Sequence, residues 1–293
     1  MAVNIRPLHP LFMGEVMDFD IGQTLSPAEV AAIEAGMDRH AVLIFPGQNI
    51  DGEQQLAFTA NFGPLQEGAN TSTPRENLRL APIFADPSNL DKDGKPRDRL
   101  HPARLDKMGN RLWHTDASFK SRGAKYSALY GRVIPPQGGN TEFADMRAAY
   151  DALDKATKAE IEDLVCEHSL TYSRAQLGYA HNEDDLRRFP PVRHRLVRTH
   201  PVTGRKSLYL ASHIGRIVGW PAPEALAFIR DLIEHATQPQ FVYAHRWTPG
   251  DVVMWDNRQT MHRGRRYDDL AYSRDVRRTT VLGDDALADR LTA

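Results

Sequence analysis

Two hydrophobic periods alternate along this chain, and together they predict sheet braced by helices. Val3-Asn4-Ile5 alternates and reads as a short opening strand. Ser26-Pro27-Ala28-Glu29 has the form of a helix start, with a serine cap, a proline in the first turn and a glutamate three residues after the cap. Val30, Ile33 and Met37 then share one face, and the helix should end near His40. Ala41 to Phe45 is a continuous apolar run stopped by Pro46-Gly47, the pattern of a buried strand. Asp51-Gly52-Glu53-Gln54 repeats the capping pattern, and a second helix follows as far as Gly63-Pro64.

From about residue 66 to 110 the chain is rich in Pro, Asn, Asp, Gly and charge. So long a loop is uncommon unless it serves a site, so it is expected to border a pocket. Lys125 to Ile134 alternates up to the turn at Pro135-Pro136-Gln137-Gly138-Gly139, and Thr141-Glu142-Phe143 resumes as strand. Asp145 to about Val165 reads as two helical pieces broken near Leu153-Asp154. Residues 168 to 194 lack a clear period and suggest a mobile lid, in which Tyr172, Arg174 and Tyr179 could clasp a substrate. Hairpins are predicted around Thr203-Gly204-Arg205 and around Thr248-Pro249-Gly250-Asp251. Between them Leu226, Ile229, Ile233 and Ala236 mark one face of a helix over 222–238. A last strand covers Arg277 to Leu282, and a frayed tail is expected beyond it. No repeat or linker divides the chain, so one domain spanning 1–293 is the economical reading. The fold class is mainly β with flanking helices, a distorted jelly roll.

Composition narrows the function. Lysine and arginine number 37 against 38 acids in 293 residues, a net charge of −1, so no bulk field draws in nucleic acid or a membrane surface. Cys166 stands alone and cannot form an internal disulfide, which fits a cytoplasmic protein and a buried small side chain. The first 25 residues carry Arg6, Glu15, Asp18 and Asp20 and have no signal-like apolar run. A homo-oligomer is expected. Glycine-rich phosphate loops, Cys-x-x-Cys pairs and a nucleophile elbow are missing from the sequence.

The candidate chemistry lies in Trp113-His114-Thr115-Asp116 and the distant His262. Ligands two residues apart on an extended segment point to the same side, so His114 and Asp116 can grip one ion. A further imidazole completes a two-histidine, one-carboxylate set with positions left open, the pattern of a non-haem ferrous oxygenase. Alone, His-x-Asp is a weak signal that more often has a structural reading. Arg274 and Arg278 follow His262, and even spacing on a strand would put both heads on one face, where a planar fork suits a carboxylate. Thr141 offers a hydroxyl to the same end.

These residues, with Pro135 to Tyr150, Trp255-Asp256-Asn257-Arg258 and Arg274 to Thr280, resemble the ferrous, 2-oxoglutarate-dependent dioxygenases that include taurine dioxygenase and 2,4-dichlorophenoxyacetate dioxygenase. The likeness runs over nearly the whole chain and looks closest to the phenoxyacetate branch, through Pro7 to Phe12 and Met261 to Asp268. It implies a double-stranded β-helix core, with Fe(II) held by His114, Asp116 and His262 and O2 as co-substrate. Thr141 and Arg274 would hold the distal carboxylate of 2-oxoglutarate, and Arg278, Asn110 and His200 would face the substrate. The implied reaction is hydroxylation of a small carboxylate, and an aryloxyacetate would be cleaved to a phenol and glyoxylate. Alternatives are the same chemistry on a sulfonate such as taurine or on an N-acylated amino acid, and, in another class, a metal-binding sensor without turnover. The branch carries a basic residue in the loop before the metal motif, where this chain has Gly68-Ala69-Asn70-Thr71-Ser72-Thr73, a departure that bears on the substrate.

Overall fold

The computed structural model describes residues 3–68, 75–181 and 183–283. In chain order the elements are β1 (Asn4–Pro7), β2 (Gly14–Met17), α1 (Pro27–His40), β3 (Val42–Phe45), α2 (Gly52–Ala60), α3 (Pro102–Lys107), β4 (Ala124–Val133), β5 (Thr141–Asp145), α4 (Met146–Ala152) and α5 (Lys155–Ile161). There follow β6 (Val165–His168), α6 (Leu170–Ala175), α7 (Glu183–Arg188), β7 (Val192–Arg195), β8 (Val197–Thr199), β9 (Lys206–Leu208), β10 (Ile214–Ile217), α8 (Ala222–Ala236), β11 (Val242–His245), β12 (Val252–Asp256), β13 (Thr260–Gly264) and β14 (Asp275–Leu282).

Sheets form the centre of the architecture. A six-stranded sheet runs β1-β2-β3-β12-β4-β14, and a three-stranded one runs β11-β5-β13. Period-two alternation on the large sheet explains how it is buried on both faces. Val42, Ile44, Leu129, Val253, Trp255 and Val276 join Phe143 of β5 and Trp247 in one core, while Leu43, Phe45, Ala128, Tyr130, Val252 and Met254 join Ile33, Met37 and Phe58 in another. Burial on both sides is why β3 and β12 read as unbroken apolar runs. The outer core is roofed by α1 and α2, whose caps form as predicted. Ser26 and Asp51 each accept from the third helical N–H, and Glu29 and Gln54 reach back to the cap backbone.

Three expectations are corrected. β11 and β12 are not a hairpin: β11 pairs with β5, and β12 lies between β3 and β4, so the turn at 248–251 carries the chain from one sheet to the other. A strand buried on both faces has its backbone N–H and C=O groups cut off from water, and β12 satisfies them on both edges in the centre of the large sheet. The second helical piece stops at Ile161, and Val165 begins β6. The buried face of α8 is centred on Ala225, Ile229, Leu232 and Ala236, so the predicted stripe is rotated by one position. The segment 168–194 is anchored at both ends, because β6 and β7 pair from Val165↔Arg195 to His168↔Val192 and Leu170, Thr171 and Ser173 of α6 are buried.

The long loop is tied to the edge of β14. Ala85 and Arg278 exchange both backbone hydrogen bonds at 2.9 Å, and Ser88 Oγ donates to the Val276 carbonyl and accepts its N–H. Asn89 accepts the Arg274 N–H at 2.8 Å. Part of the 68–73 departure, from residue 69 on, and the tail beyond 283 lie outside the described residues. Cys166 is a buried free thiol, pushed up to about 12 by burial. No helix among the described residues is long and apolar enough to cross a membrane.

Candidate metal centre and its two cavities

His114 and His262 are joined through the backbone before any ion is considered. Each donates its N–H to the other's carbonyl, at 3.0 and 2.9 Å, so the two residues form an antiparallel bridge. Side chains of such a pair stand on the same face. Their rings lie 4.2 Å apart between centroids. His262 is on β13, a strand the sequence reading missed, opposite Phe143 of β5. Phe143 stacks on its ring at 6.0 Å and Trp255 packs on it at 4.7 Å, so its orientation is set by apolar contact. The Nδ1 of His114 bonds the Leu112 carbonyl at 2.8 Å, which makes Nδ1 the protonated nitrogen and leaves Nε2 with a lone pair.

Asp116 completes the group. One donor atom from each of His114, Asp116 and His262 lies within 4.8 Å of the others, and all three residues are buried. Ser127 Oγ donates to Asp116 Oδ2 at 2.8 Å, Asn257 Nδ2 donates to Ser127, and Asn257 Oδ1 accepts the Asp116 N–H and the Trp255 indole N–H. Arg278 donates to Asp116 Oδ1. Burial opposes ionisation of Asp116, but the Arg278 guanidinium and the Ser127 hydrogen bond win and hold its carboxyl below the usual range. Burial pushes both imidazoles down, that of His262 strongly. Two neutral imidazoles and a carboxylate, each already oriented, are a donor set that fits a divalent metal.

Two cavities meet at this triad and share His114, Asn110, Lys107 and Arg278. The one on the His262 side is lined by six cationic side chains and a single acid, Asp269. Arg274 lies within it, buried, with its Nε unpartnered and no ion pair to any described acid. Burial pulls that guanidinium down and only Tyr267 opposes the shift. Thr141 Oγ accepts from Trp247 Nε1 at 2.9 Å, so its own proton is free to be donated into the cavity. A buried cation without an acid and a hydroxyl with its donor unspent fit the carboxylate end of a dianion such as 2-oxoglutarate. Arg274 and Arg278 do reach one cavity, although Arg274 precedes β14 and a bulge at Asp275/Val276 intervenes.

The cavity on the Asp116 side is amphipathic. Phe84, Phe119, Leu78 and Leu170 line it together with six cations and four carboxylates. Loop residues from Glu67 to Asn110 supply much of its wall. Arg174 also lines it, whereas Tyr179 is spent on the Pro102 carbonyl at 2.8 Å. His200 departs from its expected place and lines neither cavity. It is buried 3.3 Å from Asp256 Oδ2 and 3.8 Å from Asp38, in the polar knot at the end of β12.

Sequence reasoning gave no role to Ser127, Asn257, Trp247, Lys107 or His213. Ser127 left a signal, a small hydroxyl inside the run Tyr126 to Tyr130. His213 left none; its ring packs edge-on against His114 at 6.2 Å and its Nδ1 bonds Ser118 Oγ at 2.8 Å. Lys107 donates to the Ser88 carbonyl, and burial brings its ammonium down to about 8.

The sequence matches the family described as "Taurine catabolism dioxygenase TauD, TfdA family" over residues 4–280. It is 45% identical over 285 residues to the alpha-ketoglutarate-dependent 2,4-dichlorophenoxyacetate dioxygenase of Cupriavidus pinatubonensis, covering 97% of this chain and 99% of that one. The (S)-phenoxypropionate/alpha-ketoglutarate-dioxygenase of Sphingobium herbicidovorans is 36% identical, with 97% and 96% covered. Among solved structures, that of AAD-2 in complex with Mn(II) and N-oxalylglycine superposes with a TM-score of 0.89 at 53% identity, covering 97% of this chain and 98% of that chain.

Proposed function

The chain belongs to the taurine catabolism dioxygenase TauD, TfdA family, and from that premise we propose that it hydroxylates an aryloxyalkanoate, cleaving the ether to a phenol and glyoxylate when the acid is an acetate. Enzyme class and co-substrates follow from the membership: it is a dioxygenase dependent on Fe(II) and 2-oxoglutarate. The paired sheets support a double-stranded β-helix core, and a buried free thiol is consistent with a cytoplasmic location.

His114, Asp116 and His262 would hold the ferrous ion. Thr141 and Arg274 would hold the distal carboxylate of 2-oxoglutarate. When bound, the metal, 2-oxoglutarate and dioxygen supply a two-electron oxidation of a C–H bond and leave succinate and carbon dioxide. The protein's residues do the rest. Ser127 and Asn257 fix the plane of the Asp116 carboxylate, and Phe143 and Trp255 fix the His262 ring, so the metal is met by donors that need no rearrangement. Phe84, Phe119 and Leu170 offer an apolar seat for an aryl ring and exclude water beside the reacting carbon. Arg278, at the junction of the two cavities, neutralises Asp116 and turns its remaining N–H groups toward the substrate's acid, with Asn110 beside it. Hydroxylation of the carbon between ether oxygen and carboxylate gives a hemiacetal, which collapses without further oxidant.

The observation that carries this reading is a cavity beside His114 and Asp116 whose wall carries both aromatic side chains and an excess of cations. Taurine offers no apolar body to such a seat. The test is turnover with Fe(II), 2-oxoglutarate and oxygen against a panel of aryloxyacetates, aryloxypropionates and taurine. Phenol released in step with succinate is expected from an aryloxyacetate. Succinate formation stimulated by taurine, and by no aryloxyalkanoate, would overturn the substrate class.

A further inference from the structure

We propose that Arg174 is a second anchor for the substrate's carboxylate, so that the acid is held between Arg278 on β14 and Arg174 on α6. The inference rests on the aryloxyalkanoate reading above and adds to it a residue outside the β-sheet core.

Four observations carry it. Arg174 lines the amphipathic cavity together with His114, Asp116, His213 and Arg278. Its Nε donates to Asp106 Oδ1 at 2.8 Å, and its side chain is only 13% exposed, so the guanidinium is held in place before any ligand arrives. Nε is thereby used, and the two terminal nitrogens remain for a carboxylate, the geometry in which arginine binds best. Arg278, by contrast, has one terminal nitrogen committed to Asp116. A single arginine that must also neutralise a metal ligand is a weak sole anchor for a substrate acid.

The third observation is the space Arg174 occupies. A β-carbon on Gly109 would overlap Nη1 and the guanidinium carbon of Arg174. Gly109 is not among the glycines with positive φ, so what the position requires is room and not a special backbone conformation. The chain therefore keeps a gap in the cavity wall that the guanidinium fills. Fourth, the neighbouring charges are arranged for an anion. Lys120 and Arg278 face the same space, Asp106 is already engaged by Arg174, and the cavity retains an excess of cations over carboxylates.

The experiment measures dissociation constants for an aryloxyacetic acid and for its neutral amide. Both are read anaerobically from the perturbation of the charge-transfer absorption of the enzyme with Fe(II) and 2-oxoglutarate. In Arg174→Gln the constant for the acid should rise about 10- to 100-fold, the loss of one charge-assisted contact. The amide's should move less than about threefold, and the absorption band before substrate addition should be unchanged. Gly109→Ala, which displaces the guanidinium without removing it, should weaken the acid in the wild-type background and add less than about twofold to Arg174→Gln. Equal losses for acid and amide, or an acid constant within about threefold of wild type, would overturn the assignment and leave the substrate class standing. A wild-type enzyme that binds neither compound would bring down both readings together.

Discussion

Replacing Arg274 by methionine should make the ligand-free protein more stable and the co-substrate site much weaker. Arg274 is 8% exposed, its Nε has no partner, and it forms no ion pair with any described acid. Trp247 offers only a distant ring face, 5.9 Å from centroid to guanidinium carbon. A buried charge in that condition is held at a cost, and exchanging it for an apolar side chain of similar length should gain about 1–4 kcal/mol. In a chain of this size that corresponds to a Tm about 2–8 °C higher. Once 2-oxoglutarate is present the sign reverses, because losing one partner of a buried ion pair costs about 3–5 kcal/mol, roughly a hundred- to several-thousand-fold in Kd. Differential scanning calorimetry with Mn(II) as a redox-silent metal checks both halves. Wild type at a hundred times its Kd should gain about 2.7 kcal/mol on adding 2-oxoglutarate, about 5 °C, and Arg274→Met at the same concentration almost nothing. A variant that melts several degrees below wild type without ligand, while keeping its co-substrate affinity within threefold, would refute the view of Arg274 as an uncompensated cation awaiting an acid.

Three further outcomes are expected. Ser127→Ala removes a 2.8 Å hydrogen bond from Asp116 and loosens Asn257, so metal affinity measured by competition with a chelator should fall about 10- to 100-fold with little change in Tm. Burial and Arg198 push His194 down to about 3, so below pH 6.5 the unfolded chain takes up a proton that the folded chain refuses, and stability present above that pH is lost as the pH falls. His194→Gln keeps an acceptor for Arg198 and should flatten the fall between pH 6 and 4.5 by about 1.4 kcal/mol per pH unit, read from urea denaturation; an unchanged slope would contradict it. Gly138 has φ +73° and a β-carbon there would meet the Arg266 carbonyl at 2.5 Å, so Gly138→Ala should lower Tm and, by shifting the start of β5 at Thr141, raise the KM for 2-oxoglutarate more than it lowers kcat.

Much of this was readable from residue pattern alone, for reasons that differ by element. The helix starts at Ser26 and Asp51 were legible because capping is local chemistry, complete within four residues. β3 and β12 were legible as strands, but not their partners, since an apolar run states that both faces are covered without saying by what. The turn at 248–251 was misread for that reason, because a tight turn between strands is shared by hairpins and by crossovers between sheets. His114, Asp116 and His262 stand out through the motifs around them, whereas the bridge that joins two of them lies on β13, whose short Thr-Met-His-Arg-Gly run carries no strand signal. His200 was drawn toward the substrate by its position in the sequence, and the knot around Asp256 that claims it is tertiary. Ser127 and Asn257 act through a chain of hydrogen bonds between distant segments, which no spacing rule reports.

The bridge between His114 and His262 makes the metal site a reporter of strand alignment. Slippage of β13 by one residue along β5 would carry the His262 ring to the opposite side of the sheet and break both backbone bonds to His114 in the same event. The centre is thus all or nothing with respect to that alignment. A one-residue insertion between Arg258 and Gln259 should therefore yield a protein that keeps its helices and most of its buried surface, yet brings together only two of the three proposed ligands.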